Sequence, residues 1–195
     1  MHITTSTKGY SLVEVLVATA ILLIAVVGPM TIATKSLQTM QFASEQATAT
    51  FLAQEGIEAV VAVRNDSVLT AFAARDFSQS WDWQRDASNP GIRDCFTAEG
   101  CNMGFNGRNP GNNIVPCDPI TSCAIRFREG ARVPFAEVSG DETQYIRVIR
   151  LEEIGDPARD KEVKITSTVY WDSNLYGGTD YEEVSLTSSV FNLYE

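Results

Sequence analysis

The sequence predicts an α+β fold: a long amino-terminal helix, membrane-spanning in its first half, packed through its second half on an antiparallel β-sheet head. Three observations predict it. Leu12 to Ile32 is an almost unbroken apolar run. Ala49, Leu52, Ala53, Gly56, Val60 and Val63 recur at steps of three and four, the period of one buried helical stripe. Val163, Ile165, Val169 and Trp171 fall on one side of an alternating segment, with Glu162, Lys164, Thr166 and Thr168 on the other, the period of a half-buried strand.

The apolar run comes first. Its 21 residues reach about 32 Å at the helical rise, enough to cross a hydrocarbon core of roughly 30 Å. A cleaved secretory signal is the rival reading, but it needs a shorter apolar centre and a small-residue cleavage site. Here Thr34-Lys35-Ser36-Leu37 continues in helical style without one. Glu14 is the one acid inside the run. A carboxylate costs about 2.5–3.5 kcal/mol at the centre of a membrane helix and less near its end. It therefore either meets a cationic partner or snorkels to the headgroups. Lys8 and Lys35 flank the run one on each side, so charge alone sets no orientation.

Gly9-Tyr10-Ser11-Leu12-Val13-Glu14 and the apolar helix behind it resemble the amino-terminal signature of type IV prepilins and type II secretion pseudopilins, G-F-x-L-[IV]-E. The resemblance implies a pilin-like fold and a leader, residues 1–9, that a membrane prepilin peptidase removes by cutting the Gly9–Tyr10 bond. Tyr10 then becomes the methylated amino terminus and Glu14 the fifth residue of the mature chain. It also implies assembly with other pilin subunits, homo- or hetero-oligomeric, from a single-pass precursor in the cytoplasmic membrane into an extracellular or periplasmic filament. Glu14 would offer the new terminal ammonium a counter-ion, acting as a register device, since either charge alone is costly away from water. Two departures from the pattern are visible: Tyr10 replaces the usual phenylalanine, and Pro29 lies about two residues earlier than the kinking proline of many major pilins.

The helical pattern continues to about Arg64, with residues 10–32 as the membrane and assembly half and 33–64 as the continuation into the head. Gly28-Pro29 is the expected interruption, because proline removes an amide donor and clashes with the preceding turn. Glu55 and Glu58 lie mostly off the buried stripe. Ala49 to Val60, A-x-F-L-A-Q-E-G-I-E-A-V, is similar to V-type minor pilins and related pseudopilins.

Residues 65–195 are assigned to the extracytoplasmic head. Turn-forming clusters follow Arg75: Asn89-Pro90-Gly91, Asn106-Gly107 and Asn109 to Asn113. Among them stand Cys95, Cys101, Cys117 and Cys123, spaced C-x5-C-x15-C-x5-C. An even count in a loop-rich, outward-facing segment predicts two disulfides, whereas a zinc site prefers pairs two to four residues apart. Three pairings are open; the local one, Cys95–Cys101 with Cys117–Cys123, is preferred slightly over the nested one. The last third reads as a meander of strands near 144–152, 162–171 and 183–193, turned at Gly155-Asp156-Pro157 and Gly177-Gly178. Trp171 is expected in the core, and Arg147 and Arg150 are expected as solvated strand residues.

The formal charge is −10, and losing Lys8 with the leader makes the side-chain total −11. An acidic head does not attract a phosphate backbone, so no direct nucleic-acid partner is expected. His2 is the only histidine and would leave with the leader. No nucleophile elbow, Walker loop or zincin motif is present, so no catalytic residue, cofactor or metal is assigned. Asp172, Asn174, Asp180 and Glu182 offer oxygen ligands to calcium, but their spacing departs from the EF-hand pattern and a solvated hairpin loop is the preferred reading. The functional expectation is a structural subunit, a minor pilin. The alternatives are a minor pseudopilin of a secretion or DNA-uptake system and a membrane-anchored enzymatic or adhesive ectodomain.

Overall fold

A computed structural model describes residues 9, 11–75, 83, 90–104, 114–127, 141–155, 162–172 and 181–191. The leader residues 1–8, Tyr10, the Asn106–Asn113 turns, Asp156-Pro157, Asn174, Gly177-Gly178 and Asp180 lie outside them. The chain divides into two compact units, residues 1–44 and residues 45–195.

One helix, α1, runs from Leu12 to Ala74, 63 residues. It passes through Pro29 without a break, so the interruption expected at Gly28-Pro29 does not occur. It also ends at Ala74 rather than near Arg64. Residues 65–74 contain no proline or glycine and end in Ala71, Phe72, Ala73 and Ala74, which favour helix, and Val68 carries the buried stripe one turn further. Arg75, at φ 55°, closes the helix in the left-handed conformation common just past a helix end.

The second unit holds the sheet. Six antiparallel strands are β1 (Cys101–Met103), β2 (Ile114–Pro116), β3 (Ala124–Phe127), β4 (Asp141–Ile154), β5 (Glu162–Asp172) and β6 (Tyr181–Phe191). Their order is β2-β1-β4-β5-β6, with β3 also paired to β4. The last three form the expected meander: Tyr145 faces Trp171 and Ile154 faces Glu162 across β4–β5, and Glu162 faces Phe191 across β5–β6. The head is thus a pilin-like helix-on-sheet α+β arrangement.

Side-chain alternation sorts the sheet into two faces. On one, Ile149, Leu151, Val163 and Ile165 pack with Ala59, Val60 and Val63 of α1, joined by Trp83, Ile92 and Val190. Trp171 is 1% exposed and stacks obliquely on Tyr145 at a centroid distance of 6.5 Å. On the opposite face, Val148 packs with Cys117 and Cys123, flanked by Ile146 and Tyr170. Thr168 departs from its expected polar exposure: it is buried and shares a hydrogen bond with Ser185, its partner on β6.

The cysteine segment, expected as loop-rich and outward-facing, holds part of the core. Cys95 and Cys101 are completely buried and belong to the main cluster. The disulfides join Cys95 to Cys101 and Cys117 to Cys123. Each therefore closes a short turn against one face of the sheet. Gly100, at φ +76°, brings the first of these turns close to β4: a Cβ there would stand 2.7 Å from the Ile149 carbonyl oxygen. Only glycine fits both the backbone angle and the approach.

Candidate functional site

In the first unit, Glu14 lies in the opening turn of α1. The first four amides of a helix lack intrahelical partners and the helix dipole is positive there, so a carboxylate in that turn is favoured. Glu14, Ala18 and Leu22 follow one another at steps of four along a single stripe, and with Val15 and Thr19 they line a shallow groove. The small side chains of Ala18 and Thr19 leave space for another apolar element to approach. Around this groove the helix is apolar on every side: Leu12, Val13, Leu16, Ile21, Leu23 and Ile24 are all more than half exposed. The hydroxyls in this half donate to backbone carbonyls, Thr19 to Leu16 at 3.0 Å and Thr31 to Gly28 at 2.8 Å. They need no water, which makes them compatible with a non-aqueous surrounding. Gly9 is exposed, with nothing within 4 Å of where a side chain would begin.

In the second unit, a polar constellation sits where the helix meets the sheet. Arg147 was expected in solvent; it is fully buried. Its Nε donates to Asn102 Oδ1 at 3.0 Å, its Nη1 to the Leu52 carbonyl at 3.0 Å and its Nη2 to the Met103 carbonyl. Glu55 completes the set as an ion pair at 3.5 Å. Burial lowers the Arg147 pKa from its ordinary value, and the charge and hydrogen bond of Glu55 oppose that shift. The guanidinium still stays charged at any physiological pH. Gly56 makes the geometry possible. A Cβ there would meet Ser167 Oγ at 2.6 Å, Arg147 Cδ at 3.0 Å and Ile149 Cδ1 at 3.3 Å.

The sequence contained a signal for Arg147. It occupies the same alternating set as Tyr145, Ile149 and Leu151, the inward face of β4. Its place in that alternating set, and not its charge, decides its burial. Arg150 falls on the other face, half-buried, and donates to the Ala98 carbonyl at 2.8 Å. Asn102 had no sequence signal, because a three-residue strand has no period to read.

The four cysteines stand close to this constellation, whereas Glu14 and Gly9 belong to the other unit. Asp172 and Glu182 lie at the end of β5 and the start of β6, while their companions in the calcium reading, Asn174 and Asp180, fall outside the described residues.

Comparison with known proteins adds one result: the prokaryotic N-terminal methylation motif matches residues 5–28. No curated protein and no solved structure matches the chain. Among the described residues α1 is long and apolar enough to cross a membrane, and none of its most apolar window is buried. That helix combined with the motif points to a membrane-anchored, single-pass protein. The chain carries the type IV prepilin-like signal on a pilin-like α+β architecture, the marks of a pilin- or pseudopilin-like processed subunit.

Proposed function

We propose that this protein is a minor type IV pilin, a structural subunit that a prepilin peptidase cuts at Gly9–Tyr10 and that enters a filament through its apolar helix. The observation that carries the proposal is the methylation motif at residues 5–28, set on a helix whose apolar first half is exposed among the described residues. Thirteen large apolar side chains between Leu12 and Ile32 are 51–75% exposed. At about 1.5–3 kcal/mol for full burial of each, and with only that exposed fraction left to bury, lipid or neighbouring helices can return on the order of 10–25 kcal/mol. That outweighs the roughly 2.5–3.5 kcal/mol upper cost of one carboxylate in hydrocarbon. The apolar run thus drives insertion, and Glu14 is left to select position. Cutting at Gly9 places a cationic terminus at Tyr10, four residues before Glu14 in sequence, so a neighbouring subunit can match its terminus to this carboxylate. The assignment as a minor pilin rests on the Ala49–Val60 sequence and a large head with two disulfides.

Mass spectrometry of the amino terminus of the native protein tests the proposal. A chain beginning at a methylated Tyr10 is the expected result. A functional protein that keeps residues 1–9 overturns it.

A further inference from the structure

Arg147 is the charged side chain among the buried polar residues of the described structure; the others are Asn102, Ser167 and Thr168. Its acceptors come from two directions. Leu52 and Glu55 belong to α1, and Asn102 and Met103 belong to β1. The guanidinium therefore bridges the helix to a strand of only three residues. That strand meets the long strands at one pair, Cys101 with Ile149 of β4, and all three of its residues pair with the equally short β2. Cys101 and Met103 are also buried in the main cluster, and the disulfides add covalent ties. Cys101, joined to Cys95, immediately precedes Asn102, and the Asn102 side-chain amide donates to the carbonyl of Cys123, which is joined to Cys117.

We propose that Arg147 is an oxidation-dependent latch: closing the two disulfides fixes Asn102 and Met103 where Arg147 bonds them, and this seats α1 on the head. Forming each bridge removes two protons and two electrons from a pair of thiols, which an incoming disulfide oxidant accepts by exchange as it is reduced to two thiols. While β1 is unfixed, two of the guanidinium's hydrogen-bond directions lack acceptors. A buried charge with incomplete partners is strongly disfavoured, so the arginine then favours water over the helix interface. Docking of α1 and oxidation of the head stabilise one another, and linkage makes that coupling reciprocal. Gly56 gives the latch its slot, since a Cβ there would press on Ser167 Oγ at 2.6 Å and on the Arg147 Cδ at 3.0 Å.

The test is hydrogen exchange of the full-length protein in detergent, comparing amides of residues 49–63 with those of β5. In the oxidised protein, Arg147→Met is expected to speed exchange in 49–63 by about tenfold or more while β5 stays protected, within the range of coupling seen for residues in one network. Replacing all four cysteines by alanine should speed the same amides, and adding Arg147→Met to that variant should change them by less than about twofold. Replacing one bridge at a time by alanine, Cys95 with Cys101 or Cys117 with Cys123, should reproduce the non-additivity and serves if the four-cysteine variant does not fold. Equal factors for Arg147→Met in oxidised and cysteine-free protein overturn the latch. Loss of β5 protection in step with the helix overturns it as well, because the head then opens as one body.

Discussion

The two halves of α1 differ in composition, an apolar run against one apolar stripe, and in the exposure of their apolar side chains. Between Leu12 and Ile32 the large apolar side chains are 51–75% exposed, whereas Ala49, Leu52, Ala53, Ala59, Val60 and Val63 are 0–5% exposed. The buried stripe of the second half is satisfied within its own head. The apolar side chains of the first half have no such cover within their own unit among the described residues. The polar residues divide in the same way. Glu14 stands exposed without a cation from its own unit among the described residues, and Glu55 has Arg147 at 3.5 Å. A change in the second half should thus be read in the stability of the head, and a change in the first half in assembly.

The largest expected effect is at the buried end. Arg147→Ala strips the charge partner from Glu55 and the donors from Asn102, Leu52 and Met103, and should weaken the seating of residues 49–63 on the sheet by about 3–5 kcal/mol, measured as their lost hydrogen-exchange protection relative to β5. Arg147→Lys should recover only part of this, because an ammonium lacks the planar fork.

Next is the crossing point. Gly56→Ala should cost about 1–3 kcal/mol by overpacking. Ser167→Ala in the same chain should restore part of that loss, since Ser167 Oγ is the nearest atom to the new methyl and is buried without a hydrogen-bond partner among the described residues. Failure of Ser167→Ala to help would show that the helix shifts bodily instead of clashing locally.

The smallest effect should come from the exposed half. Leu23→Ala, at a residue 61% exposed, should leave the melting of the head unchanged within about 0.5 kcal/mol. A larger loss would break the division drawn between the two halves.

Legibility in the sequence followed the length of each periodic pattern. Every residue assigned to the helical stripe, from Ala49 to Val63, is buried, and so are Val163, Ile165, Val169 and Trp171 of β5. Long elements repeat their period often enough to be read. The strands β1, β2 and β3 have three or four residues each, too few for a period, so the cysteine segment read as loop although it holds part of the core. Arg147 was misplaced because a charge was weighed above its position in the alternation. Helix continuity through Pro29 was missed for a related reason: one proline costs a helix about 3 kcal/mol, a local penalty that the rest of a 63-residue helix outweighs. In the first unit, motif spacing identified Gly9, Tyr10 and Glu14 as candidates, and no fold argument replaces it there, since an isolated helix brings few distant residues together.

The most direct test of the division between the halves is Glu14→Ala in the native host, with filament content and head stability measured on the same variant. The account predicts a subunit that inserts, is cut and melts as the unaltered protein does, yet is depleted from filaments by about tenfold or more, as removal of one member of a desolvated charge pair implies. Undiminished incorporation would contradict it.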